Sequence, residues 1–229
     1  MTKNILFVIT ALFLQIVSRT AFAAEKLQVI ERPEGVYRDS SEFHRIDKKF
    51  SLNYIAFGVG PSYMGVIGAT ADIFIDHNSL IELEYANGRP ASWNLFSSYS
   101  EYDIKAYSAG VHYKHFIANS FYFRVGGDYR QVNYRYTLRN FSNPAIIESQ
   151  NTFTGNSVTA SVLIGNQWQW DNFTLGCDWI GYALPVTSSI DSESTTGANP
   201  DSRYLKDDED SFVKKGTTMG LRFYLGFSF

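Results

Sequence analysis

The 229-residue chain predicts an all-β fold, an eight-stranded antiparallel transmembrane up-and-down β-barrel with short turns at one end and longer loops at the other. Three observations predict it. The chain ends Met219-Gly220-Leu221-Arg222-Phe223-Tyr224-Leu225-Gly226-Phe227-Ser228-Phe229, apolar at every odd position and mostly small or polar at the even ones. A strand with that stripe has one dry and one wet face, which suits an apolar surround and a polar interior. Seven more segments alternate in the same way, and tight and long connectors alternate between them. The composition agrees, with 18 Phe and 15 Tyr against three Met.

The chain opens with Lys3, an apolar run from Ile5 to Leu14 broken by Thr10, and Ala21-Phe22-Ala23. This reads as a secretory signal peptide, residues 1–23, cut after Ala23. The run is too short to cross a bilayer as a helix, which takes about 20 residues. Residues 24–50 then read as a periplasmic N-terminal extension, with six acidic and six basic side chains between 25 and 49. Its two readings are a disordered leader or a segment folded over the barrel mouth. After export the chain carries 18 basic and 23 acidic groups without a basic block, which argues against nucleic acid as a partner. Cys177 is the only cysteine, so neither an internal disulfide nor a lipidated N-terminal cysteine is expected.

The barrel is expected over 51–229. The first strand is read near Leu52–Gly60 and the second near Val66–Ile75, joined by Pro61-Ser62-Tyr63-Met64-Gly65. The third, near Leu80–Ala86, follows the tight Asp76–Ser79 turn, and a loop from Asn87 to Ser100 leads to the fourth, near Tyr102–Phe116. Ile117–Ser120 is the second tight turn. The fifth strand, near Phe121–Tyr136, is followed by a polar loop over Leu138–Thr152, and the sixth, near Val158–Trp170, meets the seventh, Phe173–Val186, across Asp171-Asn172. From Ser188 to Val213 the chain holds seven carboxylates but only Arg203 and Lys206 as cations, and is read as a solvated loop. The eighth strand runs from Lys214 to Phe229. The extracellular ends of the fourth, fifth and seventh strands lose strict phase, which predicts bulges or early departure from the membrane.

Trp168, Trp170, Phe173, Phe121 and Phe229 gather at the tight-turn end and read as a periplasmic girdle. Tyr99, Tyr102, Tyr134, Tyr136 and Tyr182 gather toward the loops as an outer girdle. A secreted soluble barrel has the same strand count, but it would turn its apolar stripe inward, and eight strands leave little room for aromatics from every strand in one lumen.

The inward stripe collects Asp72, Glu82, Glu84, Asp128 and Asp178 against Lys114, Arg124, Arg130 and Arg222, with His112 beside them. Unpaired charge in a narrow low-dielectric lumen costs several kcal/mol, so the near balance predicts an internal ion-pair network in a closed barrel, with a narrow channel as the alternative. Glu82 and Lys114 are expected to pair, and Arg222 is expected to find Asp72 or Asp178. No catalytic residue, metal or cofactor is assigned. His77-Asn78-Ser79 has a His-x-Ser spacing but occupies a turn on the wrong side for outer-leaflet chemistry, and the acidic loop lacks the spaced ligands of a calcium loop.

The eight alternating segments, the export signal, the turn and loop asymmetry and the Phe229 tail together resemble the small outer-membrane barrels of the OmpA transmembrane-domain, OmpX and opacity-protein type. That resemblance implies a cell outer-membrane location and insertion by the outer-membrane assembly machinery, which reads alternate terminal residues such as Phe223, Leu225, Phe227 and Phe229. It also implies contact with outer-membrane lipids and lipopolysaccharide, a monomeric state, and a role in envelope integrity or adhesion-like surface contact through the loops. Lipid A deacylases and palmitoyltransferases also occur on this scaffold, which makes a lipid A-modifying enzyme the less favoured alternative.

Overall fold

The computed structural model describes residues 40–60, 63–64, 66–88, 100–139, 147–197, 206–207 and 209–229. The expected signal peptide, most of the N-terminal extension, Tyr99, and the loop centred on Asn143-Pro144 lie outside them. A short helix, α1 (Ser41–Arg45), precedes the strands β1 (Phe50–Gly60), β2 (Tyr63–Met64), β3 (Val66–Asp76) and β4 (Ser79–Gly88). Then come β5 (Ser100–Phe116), β6 (Phe121–Arg139), β7 (Ile147–Trp170), β8 (Phe173–Gly197) and β9 (Thr217–Ser228). The two-residue β2 pairs with the far end of β1. The other eight strands form one antiparallel meander in which each neighbours the next in sequence, and β1 pairs with β9. That last pairing closes the sheet into an eight-stranded barrel and removes both free edges.

The three tight turns, the start of β1 and the end of β9 share one rim. The first turn is held by Asp76, whose carboxylate accepts from the Asn78 amide at 2.7 Å, a local bond that favours Asx residues in turns. In the third, Asp171 adopts a positive φ of 47°, a conformation Asp tolerates better than most residues. On this rim the amides of Lys49 and Phe50 donate to the Phe229 carbonyl at 2.7 and 3.1 Å, and the Phe229 amide donates to the Phe50 carbonyl at 2.7 Å.

The period-two stripes sort as a membrane barrel requires. Phe50, Leu52, Tyr54, Ile67, Ile75, Tyr85, Val111, Val125, Phe173, Leu225 and Phe227 are exposed on the outer wall, while Ser51, Asn53, Thr70, Asp72, Glu82 and Lys114 are buried inside. In the outer girdle Tyr182 is exposed on the wall. Tyr134 instead points inward and stacks on Phe153, with ring centroids 4.7 Å apart, and Tyr136 packs beside it. Tyr85 and Tyr129 are also exposed on the wall.

Of the bulge or early departure from the membrane expected at the upper ends of the fourth and fifth segments, the bulge is absent. β5 and β6 pair without a break from Ser100 opposite Leu138 to Phe116 opposite Tyr122. Their inward positions simply become apolar, at Ile104, Ala106, Val132 and Tyr134, because the upper lumen is lined with hydrocarbon. Real register shifts occur along β7 and β8, and again in β1 between Ile55 and Val59. In β8, Trp179 and Ile180 are both exposed, and directly across the ladder Leu221 has a φ of 45°. This paired irregularity reverses the phase of both strands. Met219 therefore points inward and packs among Leu163 and Ala183, although its odd position predicts the outer wall.

Two elements are longer than the polar composition suggests. β7 and β8 run 24 and 25 residues, so Ile147–Thr152 and Ser188–Gly197, both read as loop, are strand. About ten residues suffice to cross the membrane, so this hairpin continues well above it. Strands with two polar faces carry no alternation and are invisible to that signal. The eighth strand starts at Thr217 rather than Lys214, because Asp210–Lys214 forms one wide helical turn.

Candidate functional site: a filled and capped lumen

The lumen is built in three layers. Nearest the turn rim, Asn53 on β1 donates to Thr70 and Asp72 on β3 at 3.0 and 2.9 Å, and Ser51 donates to Asp72 at 2.8 Å. Across from them Thr174 donates to Gln169 at 2.8 Å, and its hydroxyl lies 2.9 Å from that of Ser228. Asp72 is thus held by a hydroxyl and an amide. Of the two partners expected for Arg222, it is not the one used.

The middle layer carries the charge. Lys114 Nζ on β5 lies 2.6 Å from Glu82 Oε2 on the adjacent β4. Arg124 on β6 bonds Glu82 and also reaches Glu84 at 2.5 Å. Arg222, whose strand faces β4 across the lumen, bonds Glu84 Oε1 at 2.6 Å and Asp178 Oδ2 at 2.5 Å. Tyr122 donates to Asp178, and Tyr224 joins Tyr122 to Gln167. His112 Nε2 lies 3.0 Å from Asp128 Oδ1, and Ser161 donates to the other Asp128 oxygen at 2.9 Å. Arg130, above this group, donates to Ser157 at 3.3 Å. Each charge therefore meets another charge or a hydrogen-bonding group, the condition for ions to persist in a dry interior. Glu82, Glu84 and His112 converge closely enough to suggest a cation site, but Arg124 already occupies the space between the two carboxylates.

The top layer is apolar. Ile55, Val66, Ala86, Ile104, Ala106, Val132, Tyr134 and Phe153 pack together, and Val213 from the wide turn inserts among them. Between the charged and apolar layers lies a void of about 20 Å³ bordered by Glu84, Asp128, Arg130, Met219 and Arg222, space for about one water molecule. At the wide turn, Glu209 is buried beside Glu193, and burial followed by that neighbouring charge pushes its carboxyl above the usual range.

The opposite mouth is capped from outside the barrel. Ser40 caps α1 by accepting from the Phe43 amide at 3.1 Å. The helix then presents Arg45, fully buried, to the turn rim. Its Nε donates to the His77 carbonyl at 3.0 Å, its Nη1 to the Asn119 carbonyl at 2.7 Å, and its guanidinium lies 3.8 Å over the Phe116 ring. One side chain thus ties the first turn to the second. Burial draws its pKa down to about 10, which leaves it a cation at neutral pH. The Gln169 amide donates to Ser41 at 3.1 Å, His44 lies 3.5 Å from Asp171, Glu42 lies 3.4 Å from His77, and Lys48 bonds Asn172. Of the two readings of the extension, residues 40–49 form a cap.

The cap was hidden because a five-residue helix carries no periodicity; its signal was the Ser40 N-cap two residues before a glutamate in a mixed-charge run. Ser79 likewise has a partner that local spacing did not indicate. Its Oγ lies 3.1 Å from His115 Nδ1 and accepts from Tyr113 at 3.1 Å, rather than meeting His77. Buried between these groups, the hydroxyl is not presented to lipid.

No family model matches the chain, and no curated protein matches it. Among solved structures it is similar to CarO of Acinetobacter baumannii, at 10% identity over 78% of this chain and 97% of that one, with a TM-score of 0.49. It is also similar to a major outer membrane protein from Thermus thermophilus, at 12% identity, 79% and 99% coverage and a TM-score of 0.49. A third is Ail, the attachment invasion locus protein of Yersinia pestis, at 11% identity, 80% and 97% coverage and a TM-score of 0.43.

Proposed function

We propose that this chain is a closed, integral outer-membrane barrel that acts through its wall and its tall extracellular hairpin, in envelope integrity and surface contact, without transport or catalysis. The observation that carries this reading is the lumen, filled from the cap on the turn rim to the loop end by hydrogen-bonded, charged and apolar layers in succession. A pore needs a continuous water path, and both the apolar top layer and the Arg45 cap stand across it. With the interior occupied, the surfaces left to make contacts are the lipid-facing wall and the strands above it. The wall takes membrane lipid and lipopolysaccharide as its surround, the barrel stands as a monomer, and the Phe223, Leu225, Phe227 and Phe229 stripe serves the assembly machinery.

Planar-bilayer recording of the purified full chain tests the closed lumen. The expected result is no reproducible unitary step, and a regular conductance shared by independent preparations overturns it. Removing 147–157 together with 188–197 is expected to leave a folded barrel in the membrane and to abolish any attachment of cells to surfaces that the full chain confers. Attachment unchanged by the deletion removes the hairpin from the reading.

A further inference from the structure

Above the lipid-facing band, four neighbouring strands turn a continuous polar surface outward. Lys105, Asn133, Thr154 and Ser192 stand opposite one another in register across β5, β6, β7 and β8. The next row pairs Asp103 with Arg135 and Arg135 with Thr152. Directly paired residues share a face, and the residues between these rows, Ile104, Tyr134 and Phe153, point the other way into the apolar plug. The two rows border a concavity of about 230 Å³. Thr154 Oγ1 donates to Asn133 at 3.0 Å, and Lys105 lies 3.9 Å from Asp103, with both of those charged side chains about half exposed.

The height of this shelf selects its ligand. The lipid-facing ring below it ends at Tyr129 on β6 and Val158 on β7, both exposed. Asn133 and Thr154 are each four residues farther along, roughly 10 Å of height for strands rising about 3.3 Å per residue at about 40° of tilt. The polar zone of a simple phospholipid bilayer extends only about 5–8 Å beyond the hydrocarbon on each side. A saccharide-bearing headgroup reaches the shelf and a plain phospholipid headgroup does not. The chemistry matches: Lys105 and Arg135 outnumber the Asp103 carboxylate beside them, arginine suits phosphate through its planar fork, and serine, threonine and asparagine suit sugar hydroxyls. The apolar plug behind the shelf holds its backbone in place, so little order has to be gained on binding.

We propose that this shelf binds the phosphorylated saccharide headgroup of an outer-leaflet glycolipid, with Lys105 and Arg135 on its phosphates and Asn133, Thr154 and Ser192 on its sugars. The proposal rests on the reading of the chain as an outer-membrane barrel. The mature protein, reconstituted in phosphatidylcholine nanodiscs doped with equal amounts of lipopolysaccharide or phosphatidylglycerol, is assayed for co-purifying lipid by native mass spectrometry. Wild-type protein is expected to retain lipopolysaccharide over phosphatidylglycerol. Lys105→Ala/Arg135→Ala is expected to lose about fivefold of that retention, the scale of two exposed charge contacts. Undiminished retention by the double variant overturns the site. Equal retention of phosphatidylglycerol, or of lipopolysaccharide stripped of its phosphates, overturns the ligand class. Both variant positions are solvent-facing, so heat-shifted gel mobility and protease resistance in liposomes are expected to be unchanged. If wild-type protein fails those two checks, the membrane-barrel reading itself fails, a result separate from loss of glycolipid alone.

Discussion

Lys114 is fully buried, with its ammonium bonded to Glu82 and lying 4.6 and 5.0 Å from the Tyr122 and Tyr224 ring centres. Glu82 also serves Arg124, so Glu82→Gln leaves Lys114 without a carboxylate and takes from Arg124 one of its two. Breaking a buried pair from one side costs about 3–5 kcal/mol, and urea titration of the detergent-refolded barrel is expected to show a loss of that order. Adding Lys114→Met should recover part of it, and strictly additive losses would show that the two groups do not communicate. The inward direction of these side chains was legible in period-two spacing, because parity alone decides the face of a strand. The identity of the partners was not. Glu84 and Arg222 are separated by 138 positions and meet across the lumen, a match set by how far the strands stagger around the ring rather than by any local spacing.

Among the elements, α1 makes its strongest connection through Arg45. Arg45→Ala removes two charge-assisted hydrogen bonds and the contact with Phe116, and should release the cap while the barrel stays intact. Trypsin is the measurement: cleavage after Lys48 or Lys49 is expected to be slow in the wild-type protein and about tenfold faster in the variant, with no change in heat-shifted mobility. Equal rates would mean that the cap is held elsewhere. At the opposite end Glu209 is buried next to the apolar seat of Val213. Because its folded pKa lies above the ordinary glutamate value, its contribution to docking is fully present below that ordinary value and lost as pH rises through the raised one. A nitroxide at the exposed Ser211 should therefore become more mobile as pH rises above the ordinary glutamate range. Glu209→Gln should hold it immobile throughout. The strand cores of these elements were legible, whereas the upper halves of β7 and β8 were not, since outside the membrane neither face of a strand has to be apolar.

For the molecule as a whole, the ordered stack of polar, charged and apolar layers makes stability a property of the closed ring. The middle layer draws ligands from β4, β5, β6, β8 and β9, so removing one strand leaves charges unpaired on several others. A chain ending at Gly216 is expected to collect as aggregated, heat-unshifted material, because β1 and β8 would both become open edges. Recovery of a heat-shifted, protease-resistant barrel from that truncation would show that the ring can close without its last strand.

The seam between β1 and β9 also sets an order of events. Seven of the eight pairings around the ring join strands adjacent in sequence, while this one joins residues 51–59 to 220–228. The seven are local and form as successive hairpins, but the eighth must bring together the two ends of the domain, and non-local contacts of that kind slow folding. Its ladder is interrupted at Ile55–Phe57 and again at Phe57–Val59, so fewer regular bonds reward the closure. Time therefore enters the architecture through one junction: the chain folds as a lengthening ribbon, and the final strand acts as a clasp that fastens last.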